Sequence, residues 1–190
     1  MKHTFMTMIL LSLSLTAGCG SMLAKMGAEP IKEDPTKRSM GQSIEDTSIA
    51  NKAIVNIHAS NEGFKDARID VHAYNGFVLI TGQVGSAELK DTASQVVSKI
   101  PKVRRIYNEL ELASPTSLLT RTSDRLLSTE IKARLLARED IQSNRVQVVV
   151  ENGVVFLMGI AYRVEGERVI AAVSDVGGVQ RVVSLFEWLD

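Results

Sequence analysis

Cysteine is almost missing from this chain: Cys19 is the single one in 190 residues. A lone thiol makes no internal disulfide, so no covalent staple supports the fold. Histidine is nearly as scarce. Only His58 and His72 lie beyond the extreme N-terminus, and no cysteine or third histidine accompanies them. A zinc site needs roughly three or four convergent ligands, so both read as surface histidines, His58 near a helix end and His72 on the outward face of a strand. An excess of either charge is also lacking: Lys+Arg and Asp+Glu both total 22. That removes any global electrostatic reason to seek nucleic acid. After the N-terminus no apolar run approaches the ~18 residues that cross a bilayer. Catalytic patterns are lacking as well. No Ser-His-Asp set can be placed, no carboxylate pair stands out, and Gly63, Gly76, Gly82 and Gly85 lack the Lys-Ser/Thr ending of a phosphate loop. The expectation is a chain with no catalytic residue, no metal and no small-molecule substrate.

The N-terminus does carry a signal. Lys2 and His3 precede an apolar stretch, Phe5 to Leu15, that is 11 residues long. That length suits a secretory h-region and is too short for a spanning helix. Thr16-Ala17-Gly18 are small, and Cys19 follows. The stretch resembles a bacterial lipobox, with Thr16 where Leu is more usual. The resemblance implies removal of residues 1–18, with a diacylglycerol and an N-acyl chain carried by Cys19 as the only non-protein group. Each buried acyl methylene contributes about 0.8 kcal/mol to membrane attachment. Gly20, where an Asp often marks inner-membrane retention, points by the same resemblance to the outer membrane. The rival readings are a plain signal peptide and a buried N-terminal helix. Residues 19–45 read as the lipidated N-terminus and a tether, since Pro30 and Pro35 interrupt any helix.

An internal repeat organises the rest. Asn75-Gly76 aligns with Asn152-Gly153 at an offset of 77 residues. At that offset Gly82 meets Gly159, Phe64 meets Ile141 and Ile54 meets Ile131, with no gap needed from Asp46 to Gly82. Each copy shows one order of patterns, α-β-β-α-β. Asp46 can cap a helix reaching about Ala59. Ala67 to Ala73 alternates as a strand, Asn75-Gly76 supplies a type I′ turn, and Phe77 to Thr81 returns, ended by Gly82. Ser86 caps a helix stopped by Pro101, and Val103 to Leu112 is the last strand. The second copy repeats this as helices 124–138 and 165–176 and strands 144–151, 154–161 and 179–189. The fold class is therefore α+β: two tandem domains, 46–112 and 123–190, joined by a linker at 113–122. In each, two helices pack on a three-stranded mixed sheet. One such copy is marginal as an independent core, so the copies are expected to pack on each other or on the tether.

Gly153-Val154-Val155-Phe156-Leu157-Met158-Gly159, then a helix, then Val176-Gly177-Gly178-Val179-Gln180-Arg181-Val182, resemble the BON domain. Gly76 to Gly82 matches the same pattern, with Pro101-Lys102 where a Gly pair is usual. A lipobox, a short tether and two BON copies together resemble the dual-BON lipoproteins of the bacterial outer membrane. That resemblance implies a non-enzymatic, periplasm-facing protein that binds anionic phospholipids, supports envelope integrity and gathers at division sites.

One helix separates the copies electrically. Arg121, Arg125, Lys132, Arg134 and Arg138 stand against Asp124 and Glu130, a local excess of +3, whereas Glu45, Asp46 and Lys52 give the equivalent helix −1. Leu127, Ile131 and Leu135 lie on the buried stripe, and Leu126 lies at its edge among cations. An edge leucine flanked by cations suits a helix lying against lipid headgroups. The candidate phospholipid-binding set is Arg125, Leu126, Leu127, Lys132, Arg134 and Arg138. Related proteins can place a large aromatic in this helix, and none is present here. The competing readings are a solvated cationic face and a protein-protein adaptor serving outer-membrane assembly or peptidoglycan remodelling. Trp188, which matches Leu112, is expected in the core or an interface. Arg104, Arg105 and Tyr107 form a candidate partner surface.

Overall fold

The structure is a computed structural model that describes residues 34–189; the signal segment and Cys19 lie outside the described residues. The elements run α1 (Met40–Ser60), β1 (Arg68–Tyr74), β2 (Phe77–Val84), α2 (Ala87–Ser98), β3 (Arg105–Leu112), α3 (Leu118–Leu136), β4 (Val146–Glu151), β5 (Val154–Ala161), α4 (Arg163–Ser174) and β6 (Arg181–Trp188). Short 3-10 turns precede β1 and β4. In each copy the hairpin is antiparallel and the last strand joins in parallel beside the return strand. The sheet orders are thus β1-β2-β3 and β4-β5-β6, the α+β arrangement expected.

Both leading helices begin earlier than their sequence suggested. Ser39 caps α1, its hydroxyl accepting from the Gln42 amide while the Gln42 side chain accepts from the Ser39 amide. Asp46 is therefore not a cap. It lies inside the helix and is buried. Its two carboxylate oxygens accept from the Asn75 and Gly76 amides at 2.8 and 2.9 Å. Asp124 repeats this in α3, accepting from Asn152 and Gly153 at 2.9 Å each. The turn residues all have positive φ, 49° and 76° in the first copy and 51° and 72° in the second. That type I′ geometry aims two consecutive amides at one anion. An acidic residue near a helix start serves a cap or a tertiary contact equally well, and here the hairpin claims it.

Asp46 and Asp124 are 78 positions apart, as are the buried pairs Ile49 and Leu127, Ala53 and Ile131, and Ile57 and Leu135. The hairpins keep the offset of 77. The connection from helix to strand is thus one residue shorter in the second copy, and Ala53, not Ile54, is the partner of Ile131. Gly82 does not end β2. The strand continues to Val84, with Gly82 at φ 120° opposite Ile69. A Cβ there would stand 2.0 Å from the Arg68 carbonyl oxygen.

Helices cover one face of each sheet, around Ile49, Ile57, Phe64 and Val97 in the first copy and Ile131, Leu135, Leu157 and Val173 in the second. The other faces meet each other. Tyr74, Phe77 and Leu79 pack against Val149, Phe156, Met158, Ile160 and Leu185 as a third core between the sheets. This accounts for β2, buried at all eight positions. Polar clamps close the seam. The Arg68 guanidinium and the Gln83 amide donate to the buried Glu151 carboxylate, and Arg104 grips Glu187 through both terminal nitrogens at 2.6 and 2.7 Å. The segment before α1 is also docked. Thr36 is buried and bonded to Arg145, and Arg38 lies between Asp46 and the Tyr74 ring.

Two outcomes follow for stability. Asp124→Ala strands two turn amides, and losing two hydrogen bonds to a charged acceptor should cost about 3 kcal/mol. Urea unfolding should register it, with faster amide exchange at Asn152 and Gly153; an unchanged midpoint refutes the clamp. The Arg104 hydrogen bond holds the Glu187 carboxyl below its usual range. A depressed carboxylate stabilises at pH values above its unfolded range and loses that contribution as pH falls through the folded value. Arg104→Gln should therefore lower Tm by about 2–4 °C near neutrality, for roughly 1 kcal/mol in a half-exposed pair. The gap should close on acidification, and a gap independent of pH contradicts the assignment.

Candidate functional site

Ser117 caps α3 through its hydroxyl, which accepts from the Thr120 amide at 3.2 Å. The helix therefore starts at Leu118 rather than 124, which brings Leu118 and Leu119 onto it. Asp124, Leu127, Ile131 and Leu135 recur every three or four residues and face inward. At 3.6 residues per turn the remaining positions sort into two flanks and a crest. Arg121, Arg125 and Lys132 share one flank. Leu119 and Leu126 share the other, and Leu118 and Leu136 lie between, opposite the core. The four outward leucines are 68–79% exposed, far more than packing against the protein would leave.

The candidate residues thus divide. Arg125, Leu126 and Lys132 are exposed on this face. Leu127 is not: it is 9% exposed, within the second copy's core, so it positions the helix and offers no contact to a ligand. Arg134 is exposed, yet its Nη1 donates to the Asp175 carbonyl at 3.2 Å, tying α3 to the end of α4. Arg138 is engaged twice by Asp140, at 2.9 and 2.7 Å. That pairing holds the Asp140 carboxyl below its usual range and raises Arg138, so the cation is largely neutralised. A carbonyl leaves a guanidinium charged, so Arg134 keeps its charge, as does half-buried Arg121, which donates to the Ser117 carbonyl at 3.4 Å. Arg125 and Lys132 are the exposed cations of the flank beside Arg121. The outward leucines at 118, 119 and 136 escaped the sequence reading; the Ser117 hydroxyl ahead of a leucine pair was the available signal.

Beside this face, Leu119, Leu126 and Leu127 line a surface cleft with Gly177, Gly178 and Gln180, about 520 Å³ in volume. Its first-copy counterpart, about 130 Å³, is crossed by an ion pair from Lys102 to Glu45 at 2.6 Å. Gly178 stands where the first copy has Lys102, and Leu119 and Leu126 stand where it has Gly41 and Ser48. The same backbone carries a small cleft bridged by an ion pair in one copy and a larger, leucine-rimmed cleft in the other.

Other expectations are relocated. His72 is half-buried beside the seam rather than on the surface, and burial lowers its pKa despite the nearby Asp70 carboxylate. Arg104 is committed to Glu187, and Arg105 stacks on Phe77 beside Tyr107, so this edge closes the seam. Trp188 packs on the rim of the second copy's core, over Gly166 and beneath Arg163. Among the described residues no three His, Cys, Asp or Glu side chains converge as metal ligands, and no helix is long and apolar enough to cross a membrane.

Two α-β-β-α-β units, each with a leading-helix carboxylate under its hairpin turn, define a duplicated α+β architecture. The chain belongs to the BON domain family, whose pattern it matches over residues 46–114 and 123–190. It is 28% identical over 173 residues to outer membrane lipoprotein DolP of Haemophilus influenzae, covering 91% of this chain and 86% of that protein. It is 28% identical over 152 residues to a 21 kDa hemolysin of Actinobacillus pleuropneumoniae, covering 80% and 78%. Osmotically-inducible protein Y of Escherichia coli is 25% identical over 185 residues, covering 93% and 92%.

The division of α3 into core and surface is open to a direct comparison. Leu127→Ala should cost about 2–4 kcal/mol in chemical denaturation, as buried leucines do. Leu126→Ala should stay within about 0.5 kcal/mol. Equal losses at the two positions would contradict the helix orientation.

Proposed function

We propose that this chain is a lipid-anchored, periplasm-facing outer-membrane protein whose second BON domain lays α3 against anionic phospholipid, as a binding and scaffolding protein rather than an enzyme. The observation that carries the reading is the outward side of α3, where exposed Leu118 and Leu136 lie between a flank of Arg121, Arg125 and Lys132 and a flank of exposed Leu119 and Leu126. Basic residues near an anionic surface contribute about 1 kcal/mol each, and leucines on the same face can enter the interfacial zone with them. The equivalent face of α1 has no such cationic flank. Cys19 with its acyl chains keeps the protein at the membrane, so α3 needs only modest affinity to set orientation. Leu127, which is buried, and Arg138, which is paired with Asp140, drop out of the contact set. The similarity to a protein named as an outer membrane lipoprotein supports the location, and the roles in envelope integrity and division-site organisation belong to the same proposal.

Sedimentation of residues 20–190 with vesicles tests this. Vesicles rich in phosphatidylglycerol should pull the protein down and purely zwitterionic ones should not, with binding lost as salt shortens the screening length to a few ångströms. Arg125→Glu with Lys132→Glu should weaken binding at least ~10-fold, and Leu119→Ser with Leu126→Ser should weaken it without altering its salt dependence. Indifference of the unmodified protein to anionic vesicles would hand the face to a protein partner instead.

A further inference from the structure

The seam between the sheets has a symmetry of its own. Arg68 and Arg145 occupy equivalent places in the two hairpins, 77 residues apart, as do Tyr74 and Glu151. Arg68 donates to Glu151, and Tyr74 donates to the Arg145 carbonyl at 3.0 Å. The same pair of positions is thus used twice, once in each direction. Gln83 reaches Glu151, and the equivalent pair, Ile160 and Tyr74, meets in the inter-sheet core. Leu79 and Phe156, equivalent to each other, both lie in that core, as do Phe77 and Val154.

Even the segments before the leading helices reciprocate. Thr116, ahead of α3, accepts from Arg68, and Thr36, ahead of α1, accepts from Arg145. A contact of position i with j matched by one of j with i is the mark of a two-fold, isologous interface. One clamp breaks the symmetry. Arg104 and Asn75 hold Glu187, whereas their counterparts Gln180, Asn152 and Glu111 are all exposed.

We infer that the seam is an isologous pairing surface whose fitting partner is a second copy of the same unit, so that two chains exchange units through it. The first copy of one chain then covers the second copy of another, and the reverse, closing a two-fold dimer. The segment from Ala113 to Pro115 acts as the hinge. Every seam contact is kept in the exchanged form, so only hinge geometry and concentration decide between the two, the ordinary condition for domain swapping. The inference does not depend on lipid binding.

The asymmetric clamp supplies the test. Whole chains carrying Cys19→Ser, to leave out the anchor, are made in two forms. Arg104→Glu sets two carboxylates against each other within one chain, and Glu187→Arg sets two guanidiniums against each other. Exchange between one chain of each kind restores an opposite-charge pair at both seams. Refolding the two together at high concentration should give a species of twice the chain mass that holds one chain of each form, seen by native mass spectrometry and absent when either is refolded alone. A mixture that stays monomeric, or dimers of random composition, overturns the inference. Should either reversal prevent folding, deletion of Ser114 and Pro115 in the otherwise unaltered chain decides. The shortened hinge should force dimers detectable by light scattering, and a folded monomer overturns the proposal.

Discussion

A carboxylate inside the leading helix of each copy, at Asp46 and Asp124, is the contact on which the arrangement rests. It is buried, it spans the hairpin turn with both oxygens, and its partners are backbone amides held at positive φ. Burying an anion is costly unless its lone pairs are filled, and two convergent amides fill them. The helix is thereby fixed in rotation as well as position. With Asp124 turned inward, Leu127, Ile131 and Leu135 must follow, and Leu126, Arg125 and Lys132 are turned out. The exposed face of α3 is thus a geometric consequence of a hydrogen bond on its opposite side.

The second constraint is the seam. A unit of this size covers one sheet face with its two helices and has nothing left for the other. The chain solves this by duplication, placing the bare face of one unit on that of the next. The core between the sheets is apolar at its centre, around Leu79, Phe156 and Met158, and closed at its edges by Arg68–Glu151 and Arg104–Glu187. The half-exposed Arg104–Glu187 pair contributes little energy, and the more buried Arg68–Glu151 pair offsets its own desolvation, but the directionality of both selects one register of sheet against sheet. The segment carrying Thr36 and Arg38 packs along the same region.

The repeat, the element order and the hairpins were readable because Asn-Gly turns and period-two strands are local signals. The seam left a trace as well. The run Phe77 to Val84 does not alternate, as befits a strand covered on both faces. What local patterns could not reveal was the use of Asp46. An acidic residue near a helix start is ambiguous until its partners, some 30 positions away in sequence, are known. Reading it as a cap truncated α1 and α3, hid the shift by one residue between helix and hairpin, and dropped Leu118 and Leu119 from the site. Arg138 was counted as free charge for a related reason, since the Asp140 carboxylate that engages it lies off the helix.

Duplication also explains how one copy can differentiate while the other stays fixed. Both copies need the carboxylate, the turn and the inward stripe, so those positions are held in each. The outer half of the leading helix and the loop before the last strand carry no such duty. In the first copy that region is bridged by Lys102 and Glu45, with Lys102 held at a φ of 69° that favours glycine. In the second the loop is Gly177-Gly178, the bridge is gone, and leucines rim the cleft. Such leucines are unfavourable in water and gain only when something covers them. The first copy's leading helix exposes apolar residues too, Met40, Ile44 and Val55, but without a flank of cations beside them; that added charge is what separates the two copies and what the proposed contact with an anionic surface would use.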